Sequence, residues 1–135
     1  MPKKVKYLSS ILAPVSLGEL IDKITILEIK QIHMTGIKLK TIIKELKLLT
    51  KILQDKNLEI DIDLINNLKE VNKNLWEIED NIRIKESNQE FDKEFIELAR
   101  SVYKENDKRA YIKKEINQKY NSELVEEKSY NNYLI

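Results

Sequence analysis

SLGELIDKITILEIKQIHM, Ser16 to Met34, is the stretch to which the rest of the chain has to attach. Ser16 and Glu19 have the spacing of a capping box, in which the serine oxygen accepts from an early helix N–H and the glutamate reaches back to the N-cap N–H. Pro14 stands just upstream, where no helical hydrogen bond is needed, and Gly36 follows as a C-terminal stop. At about 100° per residue, Leu17, Leu20, Ile21, Ile24, Leu27 and Ile32 share one broad arc, while Ile26 and Ile29 lie well away from it. A helix apolar on two sides has neighbours on two sides, so the pattern predicts a central helix. Its polar strip is narrow: Glu19, Lys23 and Lys30. Glu28 and Gln31 fall inside the main apolar arc, which makes them the first candidates for a polar layer in the core.

The 135 residues suffice for one domain with a modest core. Residues 1–15 read as an extended arm, with room for one short strand lying on the bundle; 16–120 read as helical, and 121–135 as a tail. Charged residues make up 35% and apolar residues 41%, with two Gly and two Pro, a mixture that suits long amphipathic helices better than sheets. The 24 basic and 23 acidic residues nearly cancel, so no bulk pull toward nucleic acid or membrane is expected. No apolar run approaches the length of a membrane span. Tyr7 to Val15 is too short and too interrupted, by Ser9, Ser10 and Pro14, for a signal peptide. The absence of cysteine excludes disulfides and thiolate chemistry and fits a reducing, cytoplasmic compartment.

Beyond Gly36, Leu39, Ile42, Leu46, Leu49 and Leu53 alternate three and four apart, which predicts a second helix over about 37–54. Leu58, Ile60 and Ile62 in the following connection are expected to tuck inward. A third helix, about 63–87, carries the cleanest seam: Leu64, Leu68, Val71, Leu75, Ile78 and Ile82. In the fourth, about 91–120, Phe91, Phe95, Leu98 and Val102 start a seam that Ile112, Ile116 and Tyr120 resume. Between them one repeat is polar, at Glu105 or Asn106 and at Arg109. The expected architecture is an all-α bundle of about four mostly antiparallel helices with coiled-coil-like seams. The long third and fourth helices project beyond the second, and apolar residues on that projection favour a homodimer.

Three constellations could carry chemistry. Glu28, Gln31, Glu79, Asn106 and Arg109 interrupt apolar faces, and a buried charge needs a partner, so Glu28 is expected to pair with Arg109 or Arg83. LWEIEDNIR, Leu75 to Arg83, puts Trp76, Glu79 and Arg83 on one helix face. Arg100, Tyr103, Asn106, Asp107, Arg109, Tyr111 and Lys113 form a cluster rich in anion-binding groups, though solvated helix faces look the same. No metal or cofactor is expected: His33 is the only histidine, and there is no Glu-x-x-His, Gly-rich phosphate loop or GxSxG. In the tail, Glu126, Glu127 and Lys128 are too charged for a core, and Leu124, Val125 and Tyr130 too apolar to leave in water. The segment is therefore expected to lie across the bundle, with Leu124 and Tyr130 inserted and the glutamates on basic groups.

GELIDKITILEIK (Gly18 to Lys30), LWEIEDNIR, FIELARSVYKENDKRAYIKKEIN (Phe95 to Asn117) and EEKSY (Glu126 to Tyr130) occur in this order. Together they resemble the blocks of a family of short bacterial proteins of unknown function. Such a resemblance implies shared positions without roles. They include Glu19, Asp22, Glu28, Trp76, Glu79, Arg83, Arg100, Asn106 and Arg109, and leave the second helix as a spacer. The family's last block usually has Gly before Ser, where this chain has Asn121, a residue that also tolerates a left-handed cap. With no catalytic set in view, the first reading is a non-enzymatic, oligomeric interaction module with a protein partner. The alternative is a small enzyme or binding protein for an anionic metabolite (carboxylate, phosphate or nucleotide-sugar), held by an Arg/Glu layer between helices. A closed, dry polar layer favours the first; an open cleft lined by arginines favours the second.

Overall fold

The computed structural model describes residues 8–129. It is all-α, with α1 (Leu17–His33), α2 (Gly36–Asp55), α3 (Ile62–Ser87) and α4 (Lys93–Lys119). The predicted seams fall where their helices pack, except that Phe91 precedes α4 and is exposed. In α2, for example, Ile42 is buried and Leu39, Leu46, Leu49 and Leu53 are half-buried. α1 packs against all three other helices, α3 packs along α4, and α2 rests on α1 without packing along α3 or α4.

The core is Ile21, Leu68, Val71, Ile112 and Ile116, closed by half-buried neighbours that include Leu17, Leu53, Ile60, Leu64 and Tyr120. Full burial of a side chain such as Ile21, Leu68 or Ile116 contributes roughly 1.5–3 kcal/mol. These residues lie at one end of the α3–α4 hairpin. Farther along it, Ile78, Ile82, Phe95, Leu98 and Val102 are only half-buried, and Ile84, Phe91 and Ile96 are exposed, because no third helix covers them. The far turn is closed by charge. Lys85 Nζ lies 3.1 Å from Glu90, 3.0 Å from Asp92 and 3.1 Å from Glu94, and Asp92 caps α4 by accepting from Phe95 N–H at 3.0 Å.

Two expectations fail here. No strand lies on the bundle among residues 8–15: Leu8, Ile11 and Leu12 are more than four-fifths exposed. In the α2–α3 connection only Ile60 tucks in, while Leu58 and Ile62 stay exposed. That connection is fixed by hydrogen bonds instead. Asp61 N–H donates to the Tyr120 hydroxyl at 2.6 Å, and Lys119 Nζ meets Asp61 Oδ2 at 2.9 Å.

Candidate functional site

The site begins where α1 crosses α4. Gly18 permits the approach, since a Cβ there would stand 2.6 Å from the Lys113 carbonyl oxygen. The first N–H groups of α1 have no partner within their own helix. Leu17 N–H donates to Ser122 Oγ at 3.1 Å, Gly18 N–H to Asn117 Oδ1 at 2.7 Å, and Glu19 N–H to Ser16 Oγ at 3.1 Å. The Glu19 carboxylate is drawn to Lys113 Nζ, at 2.6 Å.

One turn on, Asp22 is fully buried. Arg109 grips it side-on, with Nε donating to Oδ1 at 2.9 Å and Nη2 to Oδ2. Asn72 Nδ2 donates to the same Oδ1 at 2.9 Å and to Thr25 Oγ1 at 2.9 Å; the Thr25 hydroxyl donates to the Asp22 carbonyl at 2.8 Å. A buried carboxylate needs this much partnership to stay charged. The pairing with Asp22 raises the Arg109 pKa further, so the guanidinium is permanently charged.

Lys113, another turn along α4, has an 8% exposed side chain. It sits 2.6 Å from Glu19, 2.9 Å from Glu126 and 3.9 Å from Asp22. Burial works against its charge, but the hydrogen bonds to Glu19 and Glu126 outweigh it and its pKa is raised. Glu126 also pairs with Lys128, and the ammonium groups of Lys128 and Lys113 hold its carboxyl down at about 2. Glu127 meets Lys114 at 3.2 Å. The glutamates of the tail therefore reach basic groups as expected, but Leu124 does not insert and stays exposed. Tyr130 lies outside the described residues.

Two clefts meet at Asn106 and Arg109. The first, about 570 Å³, lies between α1, α3 and α4 and is lined by Lys30, Trp76, Glu79, Asp80 and Arg83 besides those two. The Trp76 indole stacks on His33 at 4.8 Å, and its N–H is buried with no acceptor. The second cleft, about 260 Å³, is lined by Asn106, Arg109, Ala110, Lys113 and Lys128. A larger groove of about 820 Å³, floored by Val71, Tyr111 and Ile112, takes Asp107 and Tyr111 from the anion-binding cluster and none of its arginines.

The structure thus gathers Trp76, Glu79, Arg83, Asn106 and Arg109 into one cleft and leaves three candidates out. Glu28 pairs with Lys69 at 2.9 Å, not with an arginine, because it lies on the flank of α1 that faces α3. Gln31 is exposed, on the side of α1 turned away from its neighbours. Arg100 is exposed on the projecting hairpin, 3.6 Å from Glu97. Sequence reasoning missed Asp22, Thr25 and Asn72 as the true buried layer. The available signal was the line Gly18, Asp22, Thr25, Ile29, spaced four, three and four apart, which is the most buried stripe of α1. Among the described residues, no three His, Cys, Asp or Glu side chains form a metal-sized group, and no helix is long and apolar enough to cross a membrane.

A family model, described as a family of unknown function (DUF6165), matches residues 12–135. No curated protein and no solved structure matches.

Proposed function

The chain belongs to this family of unknown function, and we propose from its own geometry that it is a binding module for a small organic anion, anchored on Arg109. The observation that carries the reading is the Arg109–Asp22 clamp. Asp22 takes two of the five guanidinium N–H donors and holds the group rigid, leaving three donors at the junction of two clefts. Asn106 adds an amide beside it, and Lys30 and Arg83 add cations that Glu79 and Asp80 on the same wall offset, Arg83 lying 3.8 Å from Glu79. A chain without cysteine suits a cytoplasmic setting.

Trp76 is the only tryptophan, so its emission reports on the cleft. Titration with succinate, citrate and inorganic phosphate is expected to give a saturable change and a rise in melting temperature. Asn106→Ala and Arg83→Gln are expected to weaken both. No saturable response to any of the three probes removes the reading.

A second reading, homodimerisation through the projecting hairpin, is supported by the exposed Ile84, Phe91 and Ile96. It is compatible with the first.

A further inference from the structure

Three cations, Arg109, Lys113 and Lys128, line the smaller cleft. Three carboxylates balance them, and these differ in how firmly they are held. Asp22 is fully buried, and three donors, two from Arg109 and one from Asn72, hold its two carboxylate oxygens. Glu19 belongs to the first turn of α1. Glu126 belongs to the tail, outside any helix, with a side chain 37% exposed. It can rotate into water without disturbing a helix, and Lys113 then keeps Glu19 but has room for a second acid where Glu126 stood.

We propose that the Glu126 carboxylate is a built-in stand-in for an acid group of the ligand, and that the site takes a compound with two acid groups. One group binds the uncommitted donors of Arg109; the other replaces Glu126 between Lys113 and Lys128. Arg109 and Lys113 are four residues apart on α4, about 6 Å along the axis. That spacing fits a four- or five-carbon dicarboxylate, or a phosphate and a carboxylate on a similar chain. A monoacid fills one half only. The exchange keeps the charge around Lys113 constant: Glu19 stays 2.6 Å away, and the ligand's acid restores the second close contact that Glu126 gives up.

The proposal rests on the reading of the clefts as an anion site, and succinate separates the two. Its affinity is measured for the wild-type chain and for Glu126→Gln, and the Glu126 side-chain carboxyl of the wild type is titrated by carbon NMR with and without it. The expected result is about tenfold tighter binding to Glu126→Gln, the effect of removing one charged competitor. The Glu126 pKa should also rise from about 2 toward its ordinary 4.5 when succinate is bound. Saturable binding with equal or weaker affinity for Glu126→Gln and an unmoved Glu126 titration overturns the stand-in and leaves the anion site standing. No binding to either chain overturns both.

Discussion

Removing the Asp22 carboxylate leaves Arg109 without its counter-charge and deprives Asn72 of an acceptor. Asp22→Ala is therefore expected to cost about 3–5 kcal/mol, the scale for stripping one partner from a buried pair, read from urea denaturation. Glu28→Ala, whose pair with Lys69 is a third exposed, should cost only about 0.2–1 kcal/mol. Gly18→Ala forces a methyl against the Lys113 carbonyl and should cost about 1–3 kcal/mol. Glu126 gives the pH dependence. Its folded pKa lies below its ordinary 4.5, so its ion pairs contribute stability above pH 4.5 and lose it as pH falls through about 2. The urea midpoints of the wild-type and Glu126→Gln chains should differ above that window and converge below it. At this scale the sequence was legible in part. A polar break in the fourth-helix seam pointed to Asn106 and Arg109, because an apolar repeat leaves a visible gap. It did not point to Asp22, because the wheel of α1 is apolar over so wide an arc that only the crossing with α4 decides which line is deepest.

Helices were more legible than their contacts, since capping and periodicity are local. Asp61 and Asp92 cap α3 and α4 one or two residues from the expected starts, and Asn121 adopts φ 51°, the left-handed conformation foreseen where a glycine is usual. What periodicity could not supply was which helix covers which seam. The α3 and α4 seams continue past the core, yet only the stretch near Leu68, Val71, Ile112 and Ile116 is sealed by α1. Amide exchange should follow that division. Amides of 64–72 and 110–117 are expected to be protected up to the global unfolding free energy, and those of 78–102 to open earlier. Equal protection along both helices would show that something covers the projecting part.

For the whole molecule that cover is expected to be a second copy. Light scattering should give a dimer, and Phe91→Glu should shift it to monomer with little change in the core, since Phe91 is exposed in the isolated chain. A strict monomer at high concentration excludes the dimer while leaving the anion site untouched. The crossing of α1 and α4 has a consequence of another kind, for the order of synthesis. The Gly18 N–H waits for Asn117, 99 residues later, and Asp22 waits for Arg109, 87 residues later. At about 5–20 residues per second, the first helix to leave the ribosome spends roughly 5–20 s before its partners are even made. During that interval α1 can recruit α2 and then α3, whose Asn72 reaches Asp22, but the carboxylate still lacks its arginine and the α4 side of α1 stays bare. A nascent chain stalled before residue 109 should therefore be cleaved readily by protease within α1, and one carried past residue 122 with enough linker to clear the tunnel should resist.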